Sequence, residues 1–233
     1  PGRIDLDRGR ILHYPRIAGL DDYPLSDHLS HRYGVPAYLH NNAALVALAE
    51  QRYGAAAEAR SLLSLLVRSG VGGAYLENGK PLTVLGRTAM EVGHMSLDCE
   101  GPPCSCGGRG CLEAYIAEEG ILSFVPAKFG AGSMSDLEGL IASGNAEFLA
   151  ALEEPLKVFQ VALRNLYTLF APECFLIVGR SAAYAELLAD RMRGALSDLT
   201  DMEGKSVRFL ADRYDPERIG RGAADLVFER FLG

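Results

Sequence analysis

The chain has 233 residues, 48% apolar and 23% charged, enough to close the core of one large domain or two small ones. A formal net charge of −7, with Lys and Arg scattered, excludes the basic footprint of a nucleic-acid binder. No run reaches the roughly 18 apolar residues of a membrane span, and the start PGRIDLDRGR has no apolar stretch behind its charges to make a signal peptide.

These features place the protein in the cytoplasm, where clustered thiols hold metal or do chemistry rather than pair as disulfides. In chain order, GRIDLDRGRILHY alternates apolar and polar residues and reads as extended chain with a turn. PLSDHLSHRYG has the start and glycine stop of a helix, VPAYLH reads as a short strand, and NNAALVALAEQRYG as a helix closed by Gly54. SLLSLLVRSG and VGGAYLENGKPLTVL are predicted as neighbouring strands, the second carrying the hairpin signal Asn78-Gly79. Gly70, Gly72 and Gly73 interrupt this pair where a backbone could approach a ligand.

The second half is expected to be more helical. CLEAYIAEEGILSFV, SDLEGLIASG and AEFLAALEEPLKVFQVALRNLYTLF all read as helices, with Pro155 kinking or restarting the last. Strand CFLIVG, helix AAYAELLADRMRGAL, strand VRFLA and helix RIGRGAADLVFERFL close the chain. This alternation predicts an α/β architecture with a partly parallel sheet.

Between these halves, VGHMSLDCEGPPCSCGGRGCLEAY holds one histidine and four of the five cysteines. His94, Cys104, Cys106 and Cys111 make a Cys3His set, the four-ligand complement of a closed tetrahedral zinc site. Gly107, Gly108 and Gly110 let the chain fold around an ion, and Pro102 and Pro103 stiffen the approach. Cys99 is a competing ligand outside the glycine-framed knuckle, a loop of incidental free thiols is the bland alternative, and Cys174 reads as a buried small hydrophobe. Four protein ligands leave no open position, so the metal's role would be structural. Glu91 and Glu113 flank the knuckle as a carboxylate pair suited to sugar hydroxyls, or as solvated surface acids.

MEVGH, CSCGGRGCLEAY and VPAYLHNNAALVALAE together resemble the ROK family, named for repressors, open reading frames and sugar kinases. The family's zinc signature falls in register on Glu91, Gly93, His94, Cys104, Cys106, Gly107, Gly110, Cys111 and Glu113. The resemblance implies a ribonuclease H-like (actin-like ATPase, sugar kinase) fold, of which residues 1–233 would be the larger C-terminal lobe with its zinc knuckle. It also implies a sugar pocket in which Asn41, Asn42, Glu91, His94 and Glu113 contact hydroxyls, with His94 using one ring nitrogen for zinc and the other for sugar.

Departures from the family pattern bear on activity. Asn42 stands where the family's kinases carry the aspartate that takes the proton from the attacking sugar hydroxyl, and an amide has no useful basicity. APECFLIVGRSAAY keeps Pro172, Glu173 and Gly179 but has Arg180 in place of a nucleotide-side glycine, and the phosphate-binding Asp-x-Gly-Gly-Thr segment does not occur. No catalytic residue is therefore assigned and ATP is not expected as a ligand. The chain is expected to be a fragment whose final helix GRGAADLVFERFL has an apolar face needing cover. The expected function is the effector-binding part of a sugar-responsive transcriptional regulator, a homodimer touching DNA only through an upstream domain and no membrane. The alternative is an ATP-dependent hexose or N-acetylhexosamine kinase.

Overall fold

The structure is a computed structural model and describes residues 3–14, 17–83 and 90–232. Val84 and Leu85, the end of the second predicted hairpin strand, lie outside those residues, as do Pro1 and Gly2.

A two-stranded antiparallel hairpin, β1 (Arg3–Asp5) and β2 (Arg10–His13), opens the chain, and α1 (Leu25–Tyr33) ends on Gly34 in the left-handed conformation. α2 (Asn42–Tyr53) follows, then β3 (Ser61–Val67), β4 (Val71–Glu77) and the short β5 (Lys80–Pro81). After the cysteine-rich segment come α3 (Leu112–Ile116), α4 (Glu118–Ser123), α5 (Met134–Ser143), α6 (Ala146–Ala151) and α7 (Glu153–Phe170). β6 (Cys174–Gly179), α8 (Ala182–Ala195), β7 (Arg208–Arg213) and α9 (Pro216–Leu232) complete the fold.

The main sheet has the order β5-β4-β3-β6-β7, antiparallel among β5, β4 and β3 and parallel from β3 through β6 to β7. Period-2 alternation makes it the middle of three layers. Leu63, Leu65 and Val67 of β3 face a core shared with α3, α7 and α8, while Leu62 and Leu66 face α2. β6 is buried at every residue, as its unbroken apolar run requires in a central strand.

Small side chains bring α2 close to the sheet on one side and to α9 on the other. A Cβ at Gly72 would stand 3.1 Å from the Ala43 methyl, and one at Gly222 of α9 would stand 3.1 Å from the methyl of Ala49. Fixing α9 further, the buried Glu50 of α2 accepts from Arg218 Nη1 at 2.6 and 2.7 Å, and the same nitrogen donates to Asp212 at 2.7 Å. Burial first, offset by that guanidinium, raises the pKa of Glu50. α9 packs Ile219 and Leu226 inward and leaves Phe228 and Phe231 exposed, as its apolar pattern predicts.

Three predicted elements take another form. VPAYLH is irregular chain, since Pro36 has no N–H for a ladder and Ala37 donates instead to the Ser30 hydroxyl. The helix predicted over 111–125 divides at Ala117, whose ψ of 163° is extended. The long helix predicted over 146–170 divides at Leu152, and Pro155 sits in the first turn of α7, where its missing N–H costs nothing. Pro155 thus belongs to a restart.

Candidate functional site

The cysteine-rich segment folds into a knuckle between β4 and α3. Met90 pairs with Gly73, its N–H donating to the Gly73 carbonyl at 2.8 Å, and Val92–His94 then form one turn of 3₁₀-helix. A Cβ at Gly93 would lie 2.2 Å from the Val71 carbonyl oxygen, so only glycine lets this turn lie against β4. Gly110, at φ 61°, is equally constrained, for its Cβ would meet the Asp98 carbonyl oxygen at 1.7 Å. Cys104 N–H donates to the Gly108 carbonyl at 2.9 Å and Gly107 N–H to the Cys104 carbonyl at 3.0 Å, closing the tip.

This folding brings His94, Cys104, Cys106 and Cys111 together, their ligand atoms all within 4.8 Å of one another. His94 Nδ1 lies 3.6 Å from Cys104 Sγ, and Cys106 Sγ lies 3.7 Å from Cys111 Sγ. A tetrahedral zinc ion with ordinary bond lengths separates two sulfurs by about 3.8 Å and a sulfur from an imidazole nitrogen by about 3.5 Å. The donor set therefore fits such an ion, and Nδ1 as the ligand leaves Nε2 of His94 for another partner. Burial, followed by the adjacent Cys104 and Cys106, pushes the Cys111 thiol up to about 12, whereas the Gly108 N–H lowers Cys106. The Cys111 sulfur, with its pKa raised, ionises near neutral pH only beside a cation. Cys99 is exposed and outside the cluster, and Cys174 is buried in β6, its thiol pushed up to about 12 by burial.

Of the remaining predicted residues, Glu113 reaches the start of β4. Glu113 Oε2 accepts from the Val71 N–H at 3.0 Å, and its Oε1 lies 3.4 Å from the Ser105 hydroxyl. One carboxylate thus ties the knuckle tip to the start of β4. Glu91 is exposed at the head of the 3₁₀ turn, its carbonyl accepting from the His94 N–H at 3.0 Å. Asn41 is the N-cap of α2, its side chain accepting from Ala43 N–H at 2.8 Å, and Asn42 is the exposed first residue of that helix.

Asn41 and Asn42 line a pocket of about 420 Å³ together with Arg68, Gly70, Gly72 and Arg180. Gly70 and Gly72 thus line a cavity, while Gly73 has a packing role, since a Cβ there would stand 2.7 Å from Val92. Glu91, His94 and Glu113 do not line that pocket. Arg68 is the residue that sequence reasoning passed over. Its guanidinium stacks 4.4 Å from the centre of the Tyr214 ring, and its position beside the glycines of 70–73 was the available signal.

Residues 1–230 match the ROK family. The chain is 26% identical to the xylose repressor of Bacillus subtilis (strain 168), over all of this chain and 60% of that protein. It is 32% identical to a glucokinase of Halalkalibacterium halodurans, over 77% of this chain and 59% of that protein. The chain thus spans about 60% of the length of the curated relatives it matches. Among solved structures, a ROK hexokinase from Thermus thermophilus superposes with a TM-score of 0.78 at 29% identity, covering all of this chain and 78% of that one. The architecture is accordingly the ribonuclease H-like, actin-like ATPase fold. No helix among the described residues is long and apolar enough to cross a membrane.

Proposed function

The chain belongs to the ROK family, and from that premise we propose that it is the sugar-binding effector part of a transcriptional regulator that does not phosphorylate its sugar. Repressors and sugar kinases both occur among its relatives, so membership alone leaves the role open. The observation that carries the reading is Asn42, on the wall of the pocket, at the position where the family's kinases have their proton-accepting aspartate. Its amide can hold a sugar hydroxyl but cannot take the proton, a loss worth typically about 10²- to 10⁴-fold in rate. Arg180 supports the same reading, since its guanidinium lines the pocket where a kinase has a nucleotide-side glycine.

In this reading Asn41, Asn42, Glu91, His94 and Glu113 bind sugar hydroxyls. The ion held by His94, Cys104, Cys106 and Cys111 is zinc, with a structural role. The active unit is a cytoplasmic homodimer, and DNA is contacted through a domain upstream of the residues described. A bound sugar acts only through different affinities for two arrangements of that assembly.

The test pairs calorimetry on a panel of hexoses and N-acetylhexosamines with an assay for ADP release on the natural full-length protein. Sugar binding without sugar-dependent ADP release is the expected result. Turnover of about 1–100 s⁻¹, the range of working kinases, would establish the second reading, an ATP-dependent hexose or N-acetylhexosamine kinase, which the 32% identity to a glucokinase favours.

A further inference from the structure

Within the knuckle cluster, two sulfurs differ in access and yet lie side by side. Cys106 is exposed and Cys111 is buried, and their Sγ atoms are 3.7 Å apart. A disulfide needs about 2.0 Å, so an approach of about 1.7 Å would join them. The chain between them can supply it, because Gly107, Gly108 and Gly110 are three of the four intervening residues. A Cβ at Gly108 would stand 3.5 Å from the Cys106 sulfur and 3.7 Å from the Cys111 sulfur, so no side chain from that position covers the pair. Cys104 is placed differently. It lies 3.6 Å from His94 Nδ1, and the single residue between it and Cys106 leaves little chain to flex. Cys99 is exposed but outside the cluster.

Resting on the zinc reading above, we infer that the knuckle is a redox-sensitive catch, in which a hydroperoxide converts Cys106 and Cys111 to a disulfide and the metal is released. The exposed Cys106 sulfur attacks the peroxide, forming an S–O bond as the O–O bond breaks, and the departing oxygen leaves as an alcohol or water. The Cys111 sulfur then attacks that of Cys106, forming the S–S bond as the S–O bond breaks, and the hydroxide takes up the thiol proton to leave as water. Two thiols together lose two electrons and the peroxide gains two. A disulfide offers no thiolate, so two of the four donors are lost, and His94 with Cys104 falls short of the closed set a structural zinc uses. The change reaches Glu113, whose carboxylate links the Ser105 hydroxyl to the Val71 N–H. Sugar contacts made by His94 and Glu113 would loosen in the same event.

The experiment treats the intact, reduced, metal-loaded protein with hydrogen peroxide, maps the products by peptide mass spectrometry and follows freed metal with a chromogenic chelator. A Cys106–Cys111 linkage is expected, with metal freed in step with it, and a dithiol reductant plus added zinc should reverse both. Cys99→Ser, outside the cluster, should leave linkage and release unchanged. Cys106→Ser should abolish the linkage. Because a missing ligand can empty the site by itself, Cys104→Ser is the second variant, and in it the Cys106–Cys111 linkage should still form. Metal freed through a different cysteine pair, or Cys106 driven to its sulfinic acid with no linkage, would overturn the inference. So would a cluster that keeps its thiols and its metal while the exposed Cys99 is oxidised. Reduced protein that holds no zinc would instead overturn the reading on which the inference rests, a failure distinct from zinc that is held and not released.

Discussion

The central sheet and the knuckle are ordered by different forces. In β6 every residue is buried and paired on both sides, Leu62 to Cys174 and Cys174 to Arg208 at the start and Val67 to Gly179 to Arg213 at the end. Each fully buried Leu, Ile or Phe contributes about 1.5–3 kcal/mol from leaving water. In the knuckle, residues 103–109 are exposed or half buried, and the tip is defined by three backbone hydrogen bonds, donated by Cys104, Gly107 and Gly110, and by two left-handed glycines, Gly107 and Gly110. Apolar burial cannot order such a segment. A metal ion held by the clustered imidazole and three sulfurs would supply what burial does not, at the cost of dependence on that ion.

The sharpest way to break the comparison is to remove the metal or its buried ligand. Chelation, or Cys111→Ala, forfeits a binding free energy on the order of 10 kcal/mol in structural zinc sites. Hydrogen exchange should then show the amides of Cys104, Gly107 and Gly110 losing protection while those of β3 and β6 keep theirs. Simultaneous loss in both regions would mean the sheet leans on the ion as well.

Arg218→Ala attacks the packed side instead, stranding the Glu50 carboxylate, and removing one partner of a buried pair costs about 3–5 kcal/mol. Denaturant titration should register this with zinc content unchanged. The sign with pH is fixed by the raised pKa of Glu50. Native protein then binds a proton more readily than the unfolded chain, whose glutamates titrate near about 4.3. The variant should therefore lose stability as pH rises from that value toward neutrality.

Gly93→Ala tests the seam between the two regions, because the added methyl meets the Val71 carbonyl oxygen at 2.2 Å. Overpacking of this kind costs about 1–3 kcal/mol, and calorimetry should find both a lower thermal midpoint and weaker zinc retention. An unchanged midpoint would show that the turn moves freely off β4.

The smallest effect belongs to the exposed carboxylates. The Arg10 hydrogen bond lowers Asp22, the Arg164 hydrogen bond lowers Asp198, and the Tyr53 hydroxyl and then Arg52 lower Asp225. Their contribution is complete above the unfolded value of about 3.9 and lost as pH falls below it. Thermal midpoints between neutral pH and pH 3 should decline modestly from this source, and less in high salt.

What could be read in the sequence follows from the range of the interactions. The strand at β3, the Gly34 stop and the Cys3His spacing are local, and each is found where the sequence places it. Cys99, outside the glycine-framed knuckle in the sequence, is outside the cluster in the structure as well. Arg68 against Tyr214, Arg218 against Glu50 and the Glu113 carboxylate on Val71 N–H join segments distant in the sequence, so the pairings have no local sign. VPAYLH has strand composition but no ladder to join.

The corner at Ala117 has an effect beyond dividing two helices. Had 112–123 formed one helix, the N–H of Glu118 would have been spent on the carbonyl of Ala114. At the corner it points out of the helical track and donates to the Arg68 carbonyl at 2.9 Å. Gly120 makes the sharp bend possible, since a Cβ there would lie 2.8 Å from the Ala114 carbonyl. A glycine far from any ligand thereby frees an amide to moor the loop that carries Arg68, so the steadiness of the cavity's rim is governed in part by a residue that never touches what the cavity holds.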